Sequence, residues 1–266
     1  MPQARDDEPH TIWEDPLALR LVAFDLDDTL APSKGALPDD VGHALVDLLD
    51  VAEVCVISGG NWSQFNTQLL GNLPPARIER LHLMPTCGTR YLRWSGGEWS
   101  PVYEHTLPAE QRALVAEVIE REARRLGYWE EDTWGDVIED RGTQITFSAL
   151  GQRAPLEAKR AWDPSGEKRI ALKDAIAPYL EGLEPRSGGS TSVDVTPAGV
   201  DKAFGIRTLS ELTGIALDEM VFVGDRLDPD GNDRPVLDMG VESIATPGPE
   251  ETPAIIRALI ERMTIP

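Results

Sequence analysis

The run Asp25-Leu-Asp27-Asp28-Thr29 is the densest chemical cluster in the sequence. In an extended strand alternate residues share a face, so Asp25 and Asp27 would stand side by side at the end of the apolar run Leu21-Val-Ala-Phe24. Carboxylates placed so closely repel unless a metal cation or a proton relieves them. In unlike environments such a pair divides into a nucleophile and a general acid. By itself an acidic strand end suits a helix cap or a solvated turn equally well. Three further positions narrow the choice: Ser58 follows Val54-Cys-Val-Ile57, Lys202 closes Gly199-Val-Asp-Lys, and Asp225 follows Met220-Val-Phe-Val-Gly224, with Asn232-Asp233 beyond it. A carboxylate that attacks a phosphate dianion needs that charge neutralised, and a divalent cation with a lysine does this.

These residues all fall at the ends of short apolar runs or at helix starts. The run 21–24 is followed by a helical pattern from Asp39 to Asp50, with Val41, Ala44, Leu45 and Leu48 on one face, and then by the run 54–57. Strand, helix, strand is the parallel unit of an open α/β sheet, whose ligands bind at the carboxyl ends of the strands. Asn61 to Leu70 reads as the next helix, 220–223 as another buried strand, and about 253–263 as a closing helix. The middle of the chain differs in texture and holds Trp94, Trp99, Trp129, Trp134 and Trp162. It contains an amphipathic helix after Leu107-Pro108 that Gly127 stops, an alternating segment 137–150, and a helix over Glu167 to Leu180. The sequence therefore predicts an α/β fold with a Rossmann-like parallel-sheet core (19–87 and 194–266), an inserted α/β cap (88–193) and a flexible acidic segment (1–18). The tryptophans are expected to fill the small domain's core rather than to form a stacking wall for a sugar.

The 266 residues include 25 basic and 46 acidic side chains, a net charge of −21. Such a surface repels phosphate backbones and anionic headgroups, so neither nucleic acid nor a membrane is an expected partner. An anionic substrate would need local positive charge at its site. No apolar stretch approaches the length of a spanning helix, and Met1 to His10 lacks the basic and apolar regions of a signal peptide, so a cytoplasmic location is expected. Cys55 and Cys87 form no disulfide framework or spaced metal cluster, and isolated His43, His82 and His105 are assigned no role.

The order Asp25-x-Asp27-x-Thr29, Ser58, Lys202, Asp225 and Asn232-Asp233 resembles the haloacid dehalogenase superfamily of phosphotransferases. The insert's position resembles the branch with an α/β (C2-type) cap. Within it, Ile138-Glu-Asp-Arg141, Ser148, Gly151, Gly188-Gly-Ser-Thr-Ser192-Val-Asp194 and the Asp225-to-Asn232 spacing look like the eukaryotic-type phosphomannomutases. The resemblance implies that Asp25 is the nucleophile and forms an aspartyl-phosphate, and that Asp27 is the general acid and base. It implies Mg²⁺ held by Asp25, the Asp27 carbonyl and Asp225, with Asn232 and Asp233 nearby. Thr29, Ser58, Gly59 and Lys202 would hold phosphate or orient the nucleophile. Arg141, Ser192 and Asp194 would contact a small sugar phosphate from the cap, and a homodimer through the cap is implied as well.

The departures bear on the reaction. Trp134 and Gln152 stand where those mutases carry arginine, and Arg153, one place further on, is expected to substitute as a substrate contact from the cap. Lys34 is the nearest counterpart of another family arginine, and Asp28 replaces a glycine. A mutase must hold a second phosphate while a bisphosphate turns end for end. The weaker cradle favours a Mg²⁺-dependent sugar phosphatase over a phosphohexomutase. A non-catalytic sensor of phosphorylated ligands is the minor alternative, disfavoured because Asp25, Asp27 and Lys202 are all retained.

Overall fold

A computed structural model describes residues 19–264 of the chain, so the acidic segment 1–18 lies outside the described residues. Strands β1 (Leu21–Phe24), β2 (Glu53–Ile57) and β3 (Leu81–Met84) are almost wholly buried. Apart from Glu53 and the buried His82, which pair with each other, they are apolar because helices cover both faces of the sheet. Between β1 and β2 runs α1 (Asp39–Val51), which buries Val41, Ala44, Leu45 and Leu48, the face its spacing predicts. Between β2 and β3 the short α2 (Trp62–Gln64) passes into a π-helical turn, Phe65–Leu70.

Strands β4 (Arg90–Ser95) and β5 (Glu98–Glu104) form an antiparallel hairpin on the edge of this same sheet, through pairing of β3 with β4. The sequence assigned them to the insert. Their pairing puts Trp94 and Trp99 on the core sheet, where the two rings pack edge to face and Trp99 also meets Trp62. The separate inserted layer starts near Leu107. It comprises α3 (Ala109–Leu126), β6 (Ile138–Asp140), β7 (Ile145–Ser148), α4 (Leu156–Trp162), α5 (Glu167–Ile176), β8 (Leu183–Ser187) and β9 (Ser192–Pro197). Its four strands are antiparallel in the order β6-β7-β9-β8, and α3 and α5 cover one face through Val115, Ile119, Leu172 and Ile176. Trp162 and the partly buried Trp129 belong to this core, as expected.

The chain returns through α6 (Lys202–Thr213), β10 (Met220–Gly224), α7 (Arg234–Asp238), β11 (Glu242–Ala245) and α8 (Thr252–Thr264). The completed sheet has the order β11-β10-β1-β2-β3-β4-β5, parallel from β11 to β3. The Asp201 carboxylate caps α6 by accepting from the Phe204 amide at 2.9 Å, which fixes Lys202 as the first helical residue.

The height of α6 depends on two glycines. Gly88 has φ +83°, and a Cβ there would lie 2.9 Å from the Gly205 Cα of α6; a Cβ on Gly205 would lie 2.6 Å from the Ile57 side chain. Gly96, in the β4–β5 turn, also has positive φ but faces open space. Gly88→Ala is therefore expected to cost more than Gly96→Ala in chemical denaturation, by about 1–3 kcal/mol for the clash beyond a shared penalty of order 1 kcal/mol for the backbone. Equal losses would show that the close approach of α6 is not a constraint.

Candidate active site

Strands β1, β2 and β10 end at one edge of the sheet, and each delivers a polar residue there. Asp25 follows β1, its amide held by the Val223 carbonyl at 3.0 Å; Ser58 follows β2 and Asp225 follows β10. Lys202 reaches the same place from the first turn of α6. Its ammonium is 1% exposed and lies 2.5 Å from both Asp25 Oδ1 and Asp233 Oδ1. The second oxygen of Asp233 accepts from the Arg226 amide at 3.0 Å. The absence of a side chain at Gly224 allows this, because a Cβ there would collide with the Asp233 carboxylate.

Asp25, Asp225 and Asp233 place one ligand atom each within 4.8 Å of one another. One ammonium cannot balance three carboxylates. Burial pushes Asp25 above its usual range, and Asp233 and Asp225 add to the rise against the pull of Lys202. Asp225 is pushed up to about 6 by burial and by Asp233. Burial works against the Lys202 charge, but the Asp233 and Asp25 carboxylates outweigh it and keep the lysine charged. A compact set of oxygen donors with surplus negative charge fits a hard divalent cation such as Mg²⁺. Asp25 and Asp225 each keep a carboxylate oxygen that no lysine or amide engages, while both oxygens of Asp233 are taken by Lys202 and the Arg226 amide. Thr29 supports the site by donating from Oγ1 to Asp225 Oδ1 at 3.4 Å.

Asp27 is set differently. One carboxylate oxygen accepts from the Lys34 amide (2.8 Å) and Gln68 Nε2 (3.1 Å), the other from Lys34 Nζ (3.2 Å) and Gln64 Nε2 (2.9 Å). Burial alone would raise its pKa, but the Lys34 charge and these donors bring it down to about 2. The π-helical turn brings Gln68 to the same carboxylate as Gln64. Asp28 has φ +59°, the left-handed region that its short polar side chain tolerates and that a glycine would occupy freely.

The inserted layer sits directly over this edge. Arg141, its side chain 4% exposed, donates to the Gly59 carbonyl and, at 2.7 Å, to Glu139; Gln144 also donates to Gly59 at 3.2 Å. Asp194 accepts from Thr146 Oγ1 at 2.7 Å, and a Cβ on Gly59 would lie 3.1 Å from its other oxygen. Burial raises the Asp194 pKa against the opposing charge of Arg141. Ser192 pairs with Ser148 at 3.2 Å, and Gln152 donates to Ser148 at 2.7 Å. Ser58 Oγ accepts from the Gly60 amide at 3.2 Å.

A cavity of about 430 Å³ brings together Asp25, Asp27, Ser58, Gly59, Lys34, Arg141, Ser192, Asp194, Asp225 and Asn232. Thr29, Lys202 and Asp233 form the layer behind its floor. Arg153 lies elsewhere, exposed on the outer side of the cleft against Gly135. Trp134 is 46% exposed, and among the described residues no tryptophan lines the cavity. Sequence reasoning missed Lys159 and Arg160 of α4, Arg169 of α5, and the two glutamines on Asp27. A lysine-arginine pair in a short helix has no spacing that marks it as facing a site. Arg169 ties Asp163 (2.9 Å) to the Gly189 carbonyl (2.7 Å) and so fixes the loop before Ser192.

A profile described as eukaryotic phosphomannomutase matches residues 133–262. A probable phosphomannomutase of Caenorhabditis elegans is 23% identical over 240 residues, 87% of this chain and 92% of the relative. The phosphomannomutase of Saccharomyces cerevisiae is 26% identical over 247 residues, 90% and 93% of the two chains. Among solved structures, an IMP-nucleotidase of Plasmodium falciparum superposes with a TM-score of 0.67 at 15% identity, over 91% of this chain and 68% of that one. The C-terminal domain of a C. albicans trehalose-6-phosphate phosphatase gives 0.60 at 17%, over 92% and 93%. A haloacid dehalogenase-like hydrolase from Bacteroides thetaiotaomicron gives 0.60 at 18%, over 92% and 99%.

The raised Asp225 carries a consequence for metal binding. Without a metal the folded protein keeps this proton to about pH 6, while the unfolded chain releases it near 3.8. The folded state therefore binds more protons in that window, and this group's contribution to stability falls as pH rises through it. A cation on the deprotonated carboxylates must displace the proton. Saturating Mg²⁺ is expected to raise the thermal midpoint more at about pH 7.5 than at about pH 5, and Asp225→Asn to remove most of the rise. The same shift at both pH values, or in the variant, would place the bound cation elsewhere.

Proposed function

We infer that this chain, a haloacid dehalogenase superfamily protein that resembles phosphomannomutases, is a Mg²⁺-dependent phosphatase acting on a sugar phosphate through an aspartyl-phosphate. The observation that carries the reading is the Asp25 carboxylate at the cavity floor, oriented by Lys202 at 2.5 Å and adjacent to Asp225. Mg²⁺, held by Asp25, the Asp27 carbonyl and Asp225, would neutralise phosphoryl oxygens. The Asp25 carboxylate forms the new bond to phosphorus as the bond to the sugar oxygen breaks. Asp27 gives that oxygen a proton. Water then attacks the phosphorus of the aspartyl-phosphate, Asp27 takes its proton, and the bond from Asp25 to phosphorus breaks to release phosphate and restore the carboxylate. The four donors that now hold Asp27 ionised suit it to the second role; for the first they must turn aside as the substrate enters. Ser58 and Gly59 line the cavity beside Asp25 and would support phosphate oxygens, while Thr29 would steady Asp225 from behind the floor. The cap over Gly59 excludes bulk water, and Ser192 and Asp194 offer contacts to sugar hydroxyls.

Hydrolysis rather than isomerisation is favoured by what has become of the distal cradle. Arg141 is committed to Glu139 and Gly59, Trp134 faces solvent, and Gln152 bonds to Ser148. A phosphohexomutase is the second reading, supported by the profile match over 133–262 and by Lys159 and Arg160 on the cavity wall. No helix among the described residues is long and apolar enough to cross a membrane.

The deciding assay uses mannose 1-phosphate and glucose 1-phosphate with Mg²⁺, with and without the matching 1,6-bisphosphate, following free phosphate and the 6-phosphate isomer. Phosphate release independent of bisphosphate is expected. Isomer formed only with bisphosphate would replace the phosphatase by the mutase. On an aryl phosphate, Asp25→Asn is expected to abolish turnover. Asp27→Asn should give a burst of about one equivalent of aryl alcohol and then stall by about 10²–10⁴-fold, because a good leaving group needs no acid but the water step needs the base. A full steady rate in Asp27→Asn would assign the base elsewhere.

A further inference from the structure

The cavity above Asp25 is one of two joined chambers. Its volume of about 430 Å³ already falls within the range that encloses a whole small ligand. Beyond a partition that includes Lys34, Arg141, Gln152 and Lys159, the cleft widens into an outer chamber of about 750 Å³. A hexose phosphate has no use for that second volume.

Three observations say what the outer chamber suits. Its core-side wall carries Asn61, Ser63, Gln64, Thr67 and Gln68 from a single helical segment, with Ser63 and Thr67 exposed one turn apart. It has no aromatic side chain among its lining residues, so a flat base would find no stacking partner, whereas amides and hydroxyls pair with a polyol. Second, the cap side offers two cations that no carboxylate among the described residues pairs with. Among the described residues the Arg153 guanidinium makes no hydrogen bond or ion pair, and Lys159 Nζ donates only to the Gln152 carbonyl at 3.0 Å. In a chain with 46 acidic residues to 25 basic ones, cations left without a carboxylate at a cleft are available to a ligand. Third, Lys34, Gln64 and Gln68, which hold the Asp27 carboxylate, also line this chamber. The oxygen that Asp27 would protonate therefore leaves toward the outer chamber, and the alcohol of the substrate extends that way.

We propose that the outer chamber is a sugar subsite and that the substrate is a phosphorylated disaccharide, its phosphorylated residue over Asp25 and its second residue beyond Lys34 and Lys159. This rests on the phosphatase reading and adds the size of the substrate to it. Ser63, Thr67 and Arg153 then select substrates by contacts to the second sugar and touch none of the reacting atoms.

Steady-state hydrolysis by the full chain with Mg²⁺ tests it. Maltose 1-phosphate is compared with glucose 1-phosphate, 6′-phosphocellobiose with glucose 6-phosphate, and an aryl phosphate reports the chemistry alone. At least one disaccharide phosphate is expected to exceed its hexose counterpart in kcat/KM by about tenfold or more, mainly through KM. Ser63→Trp fills the outer chamber from an exposed position and is expected to lower that ratio toward one. Arg153→Ala is expected to lower it several-fold. Hexose and disaccharide phosphates turned over alike, or Ser63→Trp depressing all substrates equally while the denaturation midpoint is kept, overturns the subsite and leaves the phosphatase standing. No hydrolysis of the aryl phosphate overturns both.

Discussion

One buried ammonium facing three carboxylates is the constraint from which the rest of the site follows. Lys202 occupies the first turn of α6, where the helix dipole already disfavours a positive charge, and it is almost wholly removed from water. Only the two carboxylates at 2.5 Å make that position tenable. Removing one partner from such a buried pair typically costs about 3–5 kcal/mol, since the other charge is stranded. Two requirements on the backbone follow. Gly88 and Gly205 must let α6 approach β2 closely, and Gly224 must leave space for Asp233. Lys202 cannot balance Asp25, Asp225 and Asp233 together, and the surplus negative charge is of the kind a divalent cation would complete.

The second dependence is the join between cap and core, made of polar contacts rather than an apolar seam. Arg141 and Gln144 converge on the Gly59 carbonyl, Asn61 reaches Glu139 at 2.5 Å, and the Thr86, Thr89 and Thr143 hydroxyls form a closed triangle of 2.6–2.9 Å. Each layer meanwhile keeps its own apolar core. Interfaces of this kind separate more readily than large apolar ones, because water replaces each bond on opening. Gly59 therefore has two tasks: it follows the strand that carries Ser58, and its carbonyl anchors the cap.

The core site was legible because it obeys strict rules. A buried parallel strand is a short apolar run, and its last residue lies at the ligand edge, so Asp25, Ser58 and Asp225 could be placed from their runs alone. Lys202 was legible as part of that set. The cap was legible in outline only. Arg141 was expected against substrate, but the geometry gives it Glu139 and Gly59, and neither partner is marked by spacing. The hairpin 90–104 reads as well in one sheet as in another, because alternation fixes a strand but not its neighbour. Gln64 and Gln68 would point together in any helix, but nothing in the sequence indicates that Asp27 is what they reach. Lys159 and Arg160 became visible only once α4 was seen to face the cleft.

That cleft also resolves how a chain of charge −21 attracts an anion. The cations on its wall are of two kinds. Arg141, Arg169 and Lys34 are neutralised by Glu139, Asp163 and Asp27, so they shape the walls and add little net field. Lys159 and Arg160 have no carboxylate partner among the described residues, and their charge is felt at Asp28, whose pKa burial raises and these two cations lower. Lys159 lies at the partition between the chambers, and Arg160 lines the inner chamber alone. On the phosphatase reading a phosphate drawn toward these cations would come to rest over Asp25, where Lys202 and a divalent cation would hold it. A bisphosphate that had to reverse would need equal attraction at both ends. Lys159 and Arg160 would supply it at one end, so what favours hydrolysis is the engagement of Arg141 with Glu139 and of Gln152 with Ser148 inside the cap.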